Sequence, residues 1–312
     1  MKQVATLYLI ILFSASFYSQ HPYFGSLNQQ LLSTNPAFAG SSKNLRVQTY
    51  YQNLYPNLSG TYVSYYAGAD KLFGKRNGVG LNVFTNDIEK GTLKQTQVNL
   101  SYAYHIIVKE KIKIVPAIQI SYFQYNLDRS KLNFNSPLIT PWSGPNIPAQ
   151  SKYNFDISAG FLAYEKNYYF GASVLTLTMP DEGLLGVSKR PMTQIFQAGY
   201  NLELNEKMIF SPYAFIKLHK GNDFTQAGAY LTCNKIKFHL AYRRSDDSYA
   251  NSYIAGFNYN LRVLRIGYNT IINNSAYGSL IYSHEIYFSV NLANKIKTEE
   301  EKAKDTAVRL MD

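Results

Sequence analysis

The 312 residues carry 31 Lys and Arg against 20 Asp and Glu, a formal net charge of +11, with 28 Tyr, 18 Phe, one Trp and one Cys. The single Cys233 excludes an intramolecular disulfide, so an exported domain of this chain must be held by its sheet and its surroundings. The basic residues are scattered or alternate along the chain, without a Lys/Arg cluster or a binding module, so no nucleic-acid partner is expected.

Residues 1–19 read as a signal peptide. Lys2 supplies the charge, residues 4–17 the apolar run, and Ser16-Phe17-Tyr18-Ser19 the cleavage region before Gln20. The run is short for a bilayer span, which needs roughly 20 apolar residues. Residues 20–43 are not strand-like and hold the turn-rich hexapeptide Asn35-Pro36-Ala37-Phe38-Ala39-Gly40, expected as an N-terminal segment on the periplasmic side. Its Pro fixes φ and its Gly permits φ > 0, so a tight turn feeding the first strand is the plain structural reading.

From residue 44 to 293 the chain reads as short segments with a period of two, the signature of strands. They fall near 45–51, 61–69, 78–85, 93–108, 112–125, 153–164, 168–177, 193–202, 208–218, 224–232, 235–243, 252–260, 263–271 and 279–292, about fourteen in all. In the segment from Lys235 to Arg243, Ile236, Phe238, Leu240 and Tyr242 point one way and Lys235, Lys237, His239 and Arg243 the other. Val98, Leu100, Tyr102, Tyr104 and Ile106 are assigned to lipid, against Gln95, Gln97, Asn99, Ser101 and His105 inside. Phe155, Ile157, Ala159, Phe161 and Ala163 likewise oppose Asn154, Asp156, Ser158 and Gly160. The segments around Thr61 and Met208 alternate poorly and carry no facing assignment.

Alternate connections are short (108–111, 165–167, 205–207, 233–234 and 260–262), apart from a longer one around Asp70 to Asn77. The opposite set includes two long ones, 126–152 and 178–192, rich in Pro, Asn and Ser. Short turns at one end and long loops at the other are the asymmetry of an outer-membrane barrel. The expected fold is therefore all-β, a transmembrane antiparallel β-barrel of about fourteen strands in contact with outer-membrane lipid. A mean hydropathy of −0.23 agrees with this, because only alternate residues meet lipid. The many Tyr suit the headgroup boundary, whereas a soluble sandwich would need a buried partner for each hydroxyl. Residues 294–312 form a charged tail, expected in the periplasm.

Catalytic constellations are missing: the chain holds no Gly-x-Ser-x-Gly, no His-Glu-x-x-His, no paired Cys and no phosphate loop. The five His are scattered without metal-ligand spacing, and Asp246-Asp247 reads as a solvated loop pair. No enzyme activity, cofactor or metal is expected.

Two segments carry a family resemblance. Asn35-Pro36-Ala37-Phe38-Ala39-Gly40 resembles the Asn-Pro-Ala-(Tyr/Phe)-Ala-Gly signature of the PorP/SprF family, outer-membrane proteins of the type IX secretion and gliding machinery of Bacteroidetes. Ser283-His284-Glu285-Ile286 is similar to that family's closing strand. The charged tail and the scarcity of Trp depart from the pattern and leave the branch within the family open. The resemblance implies a non-enzymatic role in secreting or anchoring surface adhesins through their C-terminal signal domains. It also implies contact with periplasmic motor or peptidoglycan-linked proteins. The rival is an outer-membrane channel for small anionic or hydrophobic solutes. An anion preference would follow if Lys235, Lys237, Arg243 and Arg265 lined an open lumen. The lumen of a barrel this size can instead be filled by side chains and by the N-terminal segment, with Asn35 to Gly40 as a plug or partner-binding site at or within the periplasmic mouth and Phe38 buried among wall side chains.

Overall fold

The structure, a computed structural model, describes residues 24–25, 27–42, 44–54, 56, 62–108, 111–131, 150–184, 186–245, 251–274 and 280–292. The expected signal peptide, the tail, Asp246-Asp247 and most of the loop 126–152 lie outside these residues.

Fourteen antiparallel strands close into a barrel. They are β1 (Leu45–Leu54), β2 (Tyr62–Phe73), β3 (Asn77–Ile88), β4 (Leu93–Tyr104, resuming as Ile106–Val108), β5 (Ile112–Leu127), β6 (Gln150–Tyr164) and β7 (Tyr168–Leu175). Then follow β8 (Thr193–Tyr200, resuming as Leu202–Asn205), β9 (Met208–His219), β10 (Phe224–Cys233), β11 (Ile236–Ser245), β12 (Asn251–Asn260), β13 (Leu264–Asn274) and β14 (Leu280–Leu292). Each strand pairs with its neighbours in sequence, and β14 returns to β1 in a register from Leu45 opposite Leu292 to Asn53 opposite His284. Closure leaves no sheet edge, which a lipid environment requires because nothing there can bond an unpaired backbone group. Strands of about ten to twelve residues, rising ~3.3 Å each and tilted ~45°, span roughly 25 Å, the height of the apolar band of such barrels.

The outer wall is apolar. Leu100, Ile118, Phe155, Leu240 and Tyr253 all stand more than half exposed, Phe155 at 70%. Asn99, Ser101, Asp156, Ser158 and His239 on the same strands are buried inside. The facings expected for β4, β6 and β11 are those observed. Among the described residues no helix is long and apolar enough to cross a membrane; the crossing is made by strands.

The connection around Asp70 to Asn77 differs from expectation. Strands β2 and β3 run on to Phe73 and from Asn77, leaving a turn of residues 74–76 with Gly74 at φ +62°. All six connections at that end are therefore short: 74–76, 109–111, 165–167, 206–207, 234–235 and 261–263. By the same asymmetry this is the periplasmic end. At the other end, residues 176–192 fold back as a hairpin with an Asp181–Lys189 bridge.

The two strands that resisted assignment have a physical reason in common. In β2, Tyr66 points inward, and in β9 Tyr213 and Phe215 do so, all at most 5% exposed. Their lumen face is aromatic, so the contrast between the two faces disappears.

Candidate functional site: an occupied lumen

Tyr66 and Phe215 pack on the chain's own N-terminal segment. Residues 24–42, with the hexapeptide expected at or within the periplasmic mouth, run down inside the barrel. Phe24 sits among Tyr50, Tyr66, Tyr287 and Phe84. Leu27 packs with Ile195, Phe215 and Phe224. Leu31, Leu32, Ala37, Phe38 and Ala39 pack with Ala103, Val115, Leu162, Tyr164 and Tyr169. Phe38 is fully buried, its ring edge-on to Tyr169 at 5.8 Å.

The segment holds only single turns, Leu27–Gln29, Leu31–Thr34 and Pro36–Phe38, so much of its buried backbone needs partners from elsewhere. Wall side chains supply them. Arg243 donates to the carbonyl of Phe24 at 2.8 Å and Gln226 to that of Gly25 at 3.0 Å. Gln48 and Tyr50 both donate to the Gln29 carbonyl at 2.9 and 2.6 Å, and Ser173 to that of Thr34 at 2.7 Å. The N–H of Gly25 donates to Glu285 and that of Gly40 to Asp70 at 2.9 Å. His105 Nε2 lies 2.9 Å from the Ala39 carbonyl, an acceptor only, so the proton is on Nε2 and Nδ1 accepts from the Tyr164 hydroxyl at 3.2 Å. A merely adsorbed tail would not find so many matched donors and acceptors along its length.

Asn35 is the tightest of these locks. Its Nδ2 donates to the carbonyls of Phe161 at 3.0 Å and Ala172 at 3.2 Å, two residues paired across β6 and β7. Its Oδ1 accepts from the N–H of Ala37 at 2.9 Å, capping the turn that Pro36 begins. The amide reaches the strand backbone because Gly160 and Gly171 flank those carbonyls. A Cβ on Gly160 would overlap Asn35 Oδ1 and stand 2.9 Å from Pro36 Cγ. At the rim, Gly40 takes φ +71° and its N–H meets Asp70, which is itself ion-paired with buried Arg46 at 2.8 Å.

The closing-strand residues divide between the faces. Ser283 and Glu285 are buried inside; Glu285 touches the plug and also accepts from Gln52 at 2.7 Å, its register partner across the closing seam. His284 faces outward, hydrogen-bonded to the Tyr268 hydroxyl at 2.7 Å, and Ile286 is exposed on the outer wall. Sequence reasoning placed His105 and Gly160 inside without their role against the plug, and missed Asp70 and Gly171. The one signal for them was small or polar residues at inward positions of otherwise apolar strands.

Above the plug, Arg190 from the 176–192 hairpin reaches in, stacks over Phe123 at 4.5 Å and donates to the Tyr125 hydroxyl at 3.2 Å. The Tyr125 hydroxyl in turn donates to Glu182 of the same hairpin at 2.7 Å. Between hairpin and plug lies a cavity of about 70 Å³ lined by Phe24, Gln30, Asn82, Asp156 and Arg190, room for roughly five waters. The cations weighed as channel-lining are engaged elsewhere: Arg243 holds the plug, Lys237 lies over Tyr230 at 4.8 Å, and Arg265 donates to Asn260 at 2.6 Å. Lys235 sits exposed in a periplasmic turn. Among the described residues no His, Cys, Asp and Glu are grouped to hold a metal ion.

The family model described as "Type IX secretion system membrane protein PorP/SprF" matches residues 16–290. The chain belongs to that family. The PorP/SprF fold also resembles solved outer-membrane barrels. One is the toluene transporter TbuX of Ralstonia pickettii, with 11% identity, 85% of this chain and 94% of that one covered, and a TM-score of 0.54. Another is the monoaromatic hydrocarbon channel CymD, with 10% identity, 85% and 93% coverage, and a TM-score of 0.50. At such identity the likeness shows the fold alone. A search of the curated proteins returns no significant match. Family and fold place this type IX secretion component in the outer membrane.

Proposed function

We propose that this PorP/SprF barrel assists the secretion or surface anchoring of adhesins as a closed, non-enzymatic scaffold, acting through its two ends and not through its lumen. The observation that carries this reading is the built-in plug. Residues 24–42 are bonded to the wall at Phe24, Gly25, Gln29, Thr34, Asn35, Ala39 and Gly40. A wall that spends this many inward side chains on its own chain has little left to select a solute. On the outside, loops 126–152 and 178–192 are the cargo-facing surface, recognising the adhesin or its C-terminal signal domain. On the periplasmic side, the N-terminal segment 20–42 at the mouth and the tail 294–312 contact motor or peptidoglycan-linked proteins.

The test is to replace residues 126–152 by a short turn. Insertion and heat-modifiable migration should persist, because closing a hairpin over a different loop length costs only fractions of a kcal/mol to about 1 kcal/mol. Adhesin co-purification in mild detergent should fall. Unchanged co-purification with both long loops shortened would overturn the external-loop assignment.

The solute-channel reading draws on the cavity above the plug and on the resemblance to hydrocarbon transporters. Against it, the cavity between Phe24 and Arg190 is about 70 Å³, room for a few waters, and the inward side chains below it are committed to the plug.

A further inference from the structure

Inside the periplasmic mouth, beside the closing seam, lies a hollow of about 360 Å³. Arg46, Asn260, Arg265, Ser289 and Asn291 line it, together with Arg262 from the β12–β13 turn. The first five stand at inward positions of their strands, in step with buried Gln48, Asn258, Asn269 and Tyr287. Asn260, Arg265 and Ser289 are register partners across β12, β13 and β14, as are Asn291 and Arg46 across the seam. Arg265 also acts electrostatically on Tyr50 and Tyr287 deeper in the lumen. The hollow therefore opens to the periplasm on the lumen side of the wall, away from lipid.

Its charge is uneven. Asp70 neutralises Arg46 at 2.8 Å, and Ser41 of the plug lies 3.4 Å from the same guanidinium. Arg265 gives its Nε to Asn260 at 2.6 Å, a neutral acceptor. Among the described residues neither Arg262 nor Arg265 is paired with an acid, and no acid lines the hollow. Two like charges on one hollow repel, and an anion seated between them reverses that cost. The chain carries such an anion within reach. Asn291 lines the hollow, β14 ends one residue later at Leu292, and the tail 294–312 leaves from that rim. Seven residues past Leu292 begins Glu299-Glu300-Glu301, the one run of three acids in the sequence.

We infer that the acidic run Glu299–Glu301 folds back into the mouth and docks in this hollow on Arg262 and Arg265. A guanidinium presents a planar fork of donors that matches a carboxylate through paired, charge-assisted hydrogen bonds. The connecting residues 293–298 reach at most roughly 25 Å when extended, so the acids stay close to the rim they left. A flexible tether this short gives an effective concentration on the order of millimolar, which fills even a weak site. A soluble acidic partner has no such advantage, and this selects the tail as the occupant. Docked there, the tail lies beside Ser41, where the plug leaves the lumen for β1. The inference stands whatever the barrel does in secretion, and a periplasmic partner of the tail competes with the hollow for the same acids.

The experiment locates the tail in the full mature protein by pulsed electron paramagnetic resonance. In a C233S background, spin labels at T298C and at K111C, in the β4–β5 turn across the mouth, report their separation after dilution with unlabelled protein. The parent should show one narrow distance. E299Q/E300Q/E301Q and R262Q/R265Q should each broaden it, R262Q alone weakening docking by up to about fivefold, the range of a partly exposed ion pair. K166Q/K207Q, which removes cations from other periplasmic turns, should leave it narrow. R262E/R265E should broaden it, and adding E299K/E300K/E301K should restore it, a rescue that a purely structural role does not give. Heat-modifiable migration reports that each variant is folded, and the glutamine variant of the tail leaves every barrel residue in place. A broad distance in the parent, or a narrow one unchanged by E299Q/E300Q/E301Q, overturns the inference. A narrow distance lost on dilution overturns it in favour of a second copy's tail. A broad parent distance, with an acidic periplasmic protein retained by the parent and lost from R262Q/R265Q, overturns it in favour of a separate partner.

Discussion

Asn35 is the place to break the plug without touching the wall. Asn35→Ala removes two hydrogen bonds to the Phe161 and Ala172 carbonyls and the acceptor for the Ala37 N–H. At about 1 kcal/mol net for each bond, with a further ~1 kcal/mol for a buried cap left unmet, the lock loses roughly 3–4 kcal/mol. Tenfold per 1.4 kcal/mol makes that several-hundred-fold, roughly, in the unlatched population of the Asn35–Gly40 stretch. Asn35→Asp is the sharper variant. It keeps an oxygen for Ala37 but turns both donors into an oxygen facing two carbonyls, so it should be worse than Ala despite its shape. In planar bilayers the wild type should be electrically quiet and N35A should show brief openings. N35D should show more frequent ones, and deletion of residues 20–40 a sustained conductance. The upper half of the plug is still tied by Arg243 and Gln226, which is why the point variants flicker. Heat-modifiable migration controls for an intact barrel. A steady wide conductance in the wild type, or an N35D trace indistinguishable from it, would refute the reasoning.

Phe38→Ala should cost about 3–5 kcal/mol, since Phe38 is fully buried against Tyr169, and should lower the temperature at which the folded gel band is lost. An unchanged transition would mean that the plug adds nothing to barrel stability. In the external hairpin, Lys152 and the N–H groups of Ser188 and Gly183 lower the Asp181 pKa from 3.8 to about 2. A depressed folded-state value means the stabilisation is complete above pH 4 and is lost as pH falls through about 2. Hydrogen exchange of residues 178–192, corrected for intrinsic rates, should therefore be as protected at pH 4.5 as at pH 7. In Asp181→Asn protection should be weaker at both; melting of the native hairpin by pH 4.5 would contradict the assignment.

Most of the wall was legible because lipid outside and polar groups inside impose a strong contrast on alternate residues, as in Leu100 against Asn99 or Phe155 against Asp156. Where Tyr66 and Phe215 turn inward the contrast vanishes, since the plug, like lipid, takes apolar neighbours, and Tyr213 turns inward to stack on Tyr230. Several of the Tyr that suggested a headgroup girdle, such as Tyr50 and Tyr164, serve this interior. The hexapeptide was visible as a turn, but its lock was not. Asn35 acts on Gly160 and Gly171, more than 120 residues away, and only closure of the barrel brings them together. Glu285 was visible only through the resemblance. Its role depends on the seam that pairs it with Gln52 and on a plug that brings Gly25 beside it.

The central claim is that this protein serves secretion through its ends while its lumen stays closed. The most direct measurement is quantitative surface proteomics of a clean deletion strain, paired with uptake assays for small anions and for aromatic hydrocarbons. Loss of one or a few large adhesins from the cell exterior, with other type IX cargo and solute uptake unchanged, is the predicted result. An intact adhesin profile combined with impaired uptake of a small solute would contradict it.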